Sequence, residues 1–236
     1  MDSDEFKPLR YRKRWFCYLD LLGFTALVND NNIGHVISIY QDVMKKLSRK
    51  ARSISTKEIL YSWFSDTFII YSRSDHEKDF AAIEGVGRTF FQELLLNGIP
   101  ARGAITHGSL YSQSSKNIFV GPALIDAYQY AESQAWLGFV LTPSVFSRLK
   151  TSSIPLHKRA CYREVVDATF TKELLPGKEP LPGPVYAFAF NNSTLNGKNP
   201  YVDALQQMMA LAPDKDKPKY EKSIGFANKH WRRHGQ

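Results

Sequence analysis

The sequence predicts an α/β (α+β) fold: a ferredoxin-like sandwich in which an antiparallel-rich sheet is covered by helices and followed by a C-terminal helical extension. Three observations predict it. Apolar segments of strand character alternate with segments of helical period along most of the chain. Residues 58 to 71 read as an antiparallel hairpin set between two strand-helix units. The last stretch, from Tyr201 on, carries two helical patterns and no strand between them. With 236 residues and 43% hydrophobic content, the chain can bury one sizeable core, and about 200 residues commonly form a single domain.

The first strand is the apolar run Trp15-Phe16-Cys17-Tyr18-Leu19, which ends at Asp20. Next, Ile33, Val36, Ile37, Tyr40, Val43, Met44 and Leu47 recur at helical spacing, with Lys45, Lys46 and Arg49 on the other side. The hairpin at 58 to 71 is rich in β-branched and aromatic residues, and a second helix spans Asp79 to Leu96 until Asn97-Gly98-Ile99-Pro100 stops it. A strand at 101 to 107, a Ser-rich turn from Ser109 to Asn117, a short strand at 117 to 120, a helix at 122 to 135 and a strand at 137 to 142 follow. Beyond Pro143, Arg163 to Ala168 and Val185 to Phe190 read as strands separated by a Pro- and Gly-rich loop, Pro176 to Pro184. Tyr201 to Ala212 and Tyr220 to Trp231 read as terminal helices. These boundaries divide the chain into a tail at 1–11, a domain at 12–190 and an extension at 191–236.

Composition excludes several classes. The net charge of +8 is concentrated at Arg10 to Arg14 and Lys215 to Arg233. Neither stretch adjoins an RNA-recognition signature or a zinc knuckle, so nucleic acid is not expected as the primary ligand. Two cysteines, Cys17 and Cys161, form neither a disulfide framework nor a zinc spacing, which fits a reducing compartment. No run approaches the roughly 18 apolar residues of a membrane span. The N-terminus, Met1-Asp2-Ser3-Asp4-Glu5, is acidic where a signal peptide is basic. A cytoplasmic protein is expected.

The chemistry concentrates in Asp20-Leu21-Leu22-Gly23-Phe24-Thr25 and in Trp63-Phe64-Ser65-Asp66-Thr67-Phe68. Each places a carboxylate at the end of an apolar strand, and two such carboxylates suit a pair of divalent cations, since hard oxygens bind Mg2+ or Mn2+. The amides of Leu22, Gly23, Phe24 and Thr25 open a helical turn and can face an anion. For Asp20 alone, capping that turn is the simpler role; the second carboxylate favours the metal site.

The order of these pieces resembles the class III nucleotidyl cyclase catalytic domain. The resemblance rests on Asp20 to Thr25, on Asp66 in the next hairpin, on Pro100-Ala101-Arg102-Gly103-Ala104-Ile105-Thr106-His107-Gly108, and on Phe119-Val120-Gly121-Pro122-Ala123. It implies that Asp20, Asp66 and the backbone carbonyl of Leu21 hold two cations. Arg102 matches a position that reaches the triphosphate, and Lys178 loosely matches a phosphate-binding lysine; a lone His107 is more simply structural. It also implies a head-to-tail homodimer with composite sites, one protomer giving the metal aspartates and the other the base and phosphate contacts. The purine-selecting position is Ser62, beside Tyr61, and side-chain alternation lets only one of them face the pocket: Ser62 if the strand is regular, Tyr61 if a bulge intervenes at Ser65. The Asn and Arg of purine cyclases are replaced by Ile125 and Gln129, or by Asp126 and Tyr130 after a one-residue shift. These departures resemble the pyrimidine cyclases of bacterial Pycsar antiphage defence. The resemblance therefore implies UTP as substrate, cyclic UMP as product and a cyclic-nucleotide-responsive effector as the downstream partner. CTP, a purine triphosphate, and a catalytically inactive nucleotide sensor are the alternatives.

Overall fold

The computed structural model describes residues 10–29, 59–149, 161–165, 184–190 and 198–230, with isolated positions Gly34, Ser38, Gln41, Asp42 and Lys45. Strand β1 (Arg12–Leu21) leads through the turn at Leu22-Gly23 into the short helix α1 (Phe24–Asn29). The hairpin β2 (Ile59–Phe64) and β3 (Thr67–Ser72) precedes the long helix α2 (Glu77–Leu96). Strand β4 (Ala101–Gln113), β5 (Ile118–Val120), α3 (Pro122–Glu132), β6 (Phe139–Leu141) and α4 (Pro143–Leu149) follow. The described remainder comprises β7 (Tyr162–Glu164), β8 (Tyr186–Phe188), α5 (Pro200–Leu211) and α6 (Lys217–His230).

The strands lie in the order β2-β3-β1-β4-β6-β8-β7, with β5 folded back onto β4. Among the described strands only β4 and β6 pair in parallel, joined by the crossover that contains α3. The sheet is therefore antiparallel-rich and helix-covered, the α+β architecture expected. Strand β4 is longer than expected: 109 and 110 pair with β1, and 111 to 113 pair with β5, so the predicted Ser-rich turn shrinks to 114–117. Helix α3 stops at Glu132 rather than 135. Of the predicted helix from Ile33 to Leu47 only those five isolated positions are described, and they are helical; the loop from Pro176 to Gly183, and Lys178 with it, lies outside the described residues.

Alternation along β1 sends its side chains to two different environments. Trp15, Cys17 and Leu19 face α2, where Phe80 meets Trp15 at 4.9 Å and a Cβ on Gly87 would lie 2.8 Å from the Cys17 sulfur. The close approach of helix to strand requires glycine there. Arg14, Phe16, Tyr18 and Asp20 face the other side, which α3 covers; a Cβ on Gly108 would lie 3.2 Å from that of Ala123. The C-terminal helices continue the same core, since Phe226 meets Trp136 at 4.8 Å and the Leu137 amide donates to Ser223 Oγ at 2.9 Å. Among the described residues, no helix is long and apolar enough to cross a membrane.

Candidate active site

Asp20 is the penultimate residue of β1 and only 7% exposed. The sheet register sets it opposite Thr67 on β3 and opposite Arg102 on β4. Asp66 sits in the two-residue turn between β2 and β3, next to Ser65, whose φ of 55° is left-handed. The Leu21 amide donates to the Asp66 carbonyl at 3.0 Å, so a main-chain bond ties the two acidic positions together. Burial pushes the Asp20 carboxyl up to about 6; the Arg102 guanidinium opposes this, and the charges of Glu132 and Asp66 add to it. The two aspartates thus feel each other's charge.

Arg102 is gripped by two acidic residues. Its Nε donates to Asp20 Oδ2 at 3.0 Å, its Nη1 donates to the Glu132 carbonyl at 3.0 Å, and its Nη2 pairs with the Glu132 carboxylate. The sequence did not mark Glu132, because its role depends on how the end of α3 packs across β4. Arg102 also shares one chain with the Asp20 that it contacts. It therefore lies with the aspartates expected to hold cations and not among contacts contributed from a second protomer.

The donor set fits a magnesium-type cation. Among the described residues, no group of three or more His, Cys, Asp or Glu side chains is placed to hold a metal. Asp20 and Asp66 would act with a backbone carbonyl such as that of Leu21, the other positions being left to water and phosphate oxygens. That is how Mg2+ is commonly bound. At the neighbouring turn, the Leu22 amide donates to the Pro100 carbonyl at 2.8 Å, so it is engaged and not free for an anion as expected. Gly23, at φ 71°, turns the chain into α1, and of the four amides expected to face an anion its own and those of Phe24 and Thr25 remain as candidates. Behind this turn, α5 and α6 border an open pocket of about 390 Å³ lined by Leu22, Gly23, Pro100, Met208, Ala212 and Tyr220.

The register also separates the two base-selecting candidates. Ser62 pairs with Ile69, which pairs with Tyr18, so Ser62 lies on the Asp20 side of the sheet. Tyr61 pairs with Ile70 and through it with Cys17, which puts it on the α2 side. The hairpin pairs without a bulge, because the left-handed Ser65 lies in the turn itself. The Ser62 hydroxyl donates to Asn117 Oδ1 at 3.4 Å, an approach made by the β4–β5 hairpin. Tyr18, two residues before Asp20, meets Tyr128 edge-on at 5.7 Å and shares a 3.3 Å hydrogen bond with Thr67. Alternation could have flagged Tyr18; nothing local could have flagged Asn117. His107 faces the α2 side, its ring tilted 4.7 Å from that of Trp15 with Nε2 3.5 Å from Asp75, and is part of the packing.

No protein-family model matches the sequence, and no curated protein matches it. Solved structures do match. The adenylyl cyclase CyaB from P. aeruginosa superposes with a TM-score of 0.55 at 10% identity, covering 81% of this chain and 100% of that one. The guanylate cyclase domain of RhGC from Catenaria anguillulae, solved with GTP, gives 0.56 at 9% identity over 75% and 96%. A non-canonical dimeric guanylyl cyclase domain of the RhoGC fusion protein from Blastocladiella emersonii gives 0.52 at 8% identity over 75% and 96%. The chain has the fold of class III cyclase domains.

Proposed function

We propose that this chain is a metal-dependent nucleotidyl cyclase that converts UTP, or CTP as second choice, to the 3′,5′-cyclic monophosphate and pyrophosphate. The observation that carries the reading is the pair Asp20 and Asp66, tied through the Leu21 amide at the strand ends of a cyclase fold. In the reaction the ribose 3′-hydroxyl gives up its proton to solvent as its oxygen attacks the α-phosphorus, the bond to the α–β bridging oxygen breaks, and pyrophosphate leaves. Two bound cations, Mg2+ or Mn2+, would stabilise charge on both the entering and the leaving oxygen. Asp20, Asp66 and the Leu21 carbonyl would hold them. The amides of Gly23 to Thr25 orient phosphate oxygens, and Arg102 offsets charge on the departing pyrophosphate.

Pyrimidine selection is supported by Ser62, which occupies the Asp20 side of the sheet where purine cyclases carry a longer Lys or Glu. A homodimer is supported by the apolar residues left exposed on that side of the sheet and on the helix that covers it, Phe64, Ile125 and Tyr128. We assign catalysis to residues 12–190, regard 191–236 as an extension, and place the protein in the cytoplasm, signalling through its product to an antiphage effector. One observation favours a second reading, a nucleotide sensor: Ile125 and Gln129 stand where purine cyclases carry their catalytic Asn and Arg, and Gln129 is buried. Incubating purified protein with each of the four ribonucleoside triphosphates and Mn2+, with chromatographic separation, tests both. A cyclic pyrimidine product is expected; a cyclic purine alone reassigns the base, and nucleotide binding without product favours the sensor.

A further inference from the structure

We propose that Arg102 is a built-in competitor for Asp20: cation binding displaces its guanidinium from that carboxylate, and Glu132 is the positioning residue that keeps it beside the site. The inference rests on the reading of Asp20 as a metal ligand. Three elements meet in the cluster, β1 with Asp20, β4 with Arg102 and the end of α3 with Glu132. The hold is uneven. Asp20 receives one bond, from Nε at 3.0 Å, whereas Glu132 takes both terminal nitrogens through its carbonyl and its carboxylate.

That asymmetry sets the order of events. A carboxylate as buried as Asp20 needs a counter-ion to remain charged, and Arg102 supplies it while no cation is bound. A dication arriving at the same carboxylate repels the guanidinium and takes over as counter-ion. Breaking the single Nε bond releases Asp20, while the two bonds to Glu132 hold Arg102 in place. A positive group, relieved of one of its two anions, is then poised where anionic phosphates arrive. Glu132 touches neither cation nor substrate in this scheme and acts only through Arg102.

The test is Mn2+ binding to the purified, nucleotide-free protein, followed by the electron paramagnetic resonance signal of the free ion. Arg102→Lys keeps the charge but loses the planar fork that bridges two acids, so it should bind Mn2+ about tenfold more tightly. Glu132→Gln should weaken binding several-fold, because Asp20 becomes the only charged acceptor for Arg102. In the double variant the Glu132 effect should vanish, whereas a simple field effect of the lost charge would persist and add. Unchanged Mn2+ affinity in Arg102→Lys, or additivity in the double variant, overturns the proposal. Asp20→Asn separates the two levels: if it binds Mn2+ as the parent does, the metal assignment itself fails. Should Arg102→Lys not fold by circular dichroism, the Arg102 Nε–H resonance of the parent decides. It should shift when Mg2+ is added, and an unmoved resonance overturns the exchange.

Discussion

The two faces of the central sheet each carry an arginine held by acidic groups, and they are built for opposite ends. On the α2 face, Glu84 and Arg88 pair one helical turn apart, and the buried Tyr162 hydroxyl donates to the same Glu84 oxygen at 2.9 Å. Burial drives the Tyr162 hydroxyl well above its ordinary range, and the Glu84 charge adds to it, so the tyrosine remains a donor and the cluster is closed. On the opposite face, the Arg102 cluster gathers one residue from each of three elements, and Asp20 is pushed up to about 6 by burial in spite of its partner. A neighbour pair on one helix forms with the helix and stays. A cluster drawn from three elements, around a carboxylate whose charge is only partly compensated, is one that an added cation can rearrange.

Substituting each cluster should therefore damage different properties. The largest effect is expected from Asp20→Asn or Asp66→Asn, which should lower turnover by more than about a thousandfold through loss of cation ligands. Stability should fall by no more than about 1.5 kcal/mol, since the Asn amide oxygen can still accept from Arg102 Nε and Arg102 keeps Glu132. Product formation alongside a urea titration checks both, and either variant retaining turnover would break the distinction between the faces. Next, Glu84→Ala strips Arg88 and Tyr162 of their shared acceptor on the closed face and should cost about 3 kcal/mol of stability. Mn2+ affinity should be untouched, and a weakened metal site would show that the faces are coupled through the sheet.

Smaller effects sharpen the comparison. Ser62→Lys, on the Asp20 face, should shift the UTP-to-ATP preference several-fold, whereas Tyr61→Ala, on the α2 face, should leave it within about twofold. Competition among the four triphosphates reads this directly, and a larger shift in the Tyr61 variant would reverse the assignment of faces. The smallest expected effect belongs to His107. Its pKa lies below the ordinary histidine range because burial disfavours the charged ring; Asp75 opposes this, while Arg148 and Lys13 add to it. The unfolded chain then binds a proton that the folded chain refuses, so stability falls as pH drops below the ordinary histidine value. His107→Gln should flatten that slope in thermal melts between about pH 7 and pH 5, and an unchanged slope would remove His107 as its cause.

The central elements were legible in the sequence wherever periodicity was local. The strand before Asp20, the hairpin around Asp66 and the α2 stop at Asn97-Gly98 each follow from a few adjacent residues. Strand β4 was misjudged because Ser109 and its neighbours look like a turn, yet pairing with Lys13 and Arg12 on β1 extends the strand through them. Within the site, the aspartates stood out as charges interrupting apolar runs. Glu132 and Asn117 did not, since a helix-end glutamate and a turn asparagine are ordinary locally. Their partners, Arg102 and Ser62, lie 30 and 55 residues away. The Leu22 amide was misassigned for the same reason: its acceptor, the Pro100 carbonyl, belongs to a distant turn.

The bond between the Leu21 amide and the Asp66 carbonyl involves no side chain. No point substitution at Asp20 or Asp66 deletes either of its atoms, so a lineage could lose both carboxylates and still inherit their spacing. Geometry here is more durable than reactivity. A descendant stripped of its acids would superpose on a working cyclase as well as this chain does, and only the residues at those two positions would tell a retired copy from a working one.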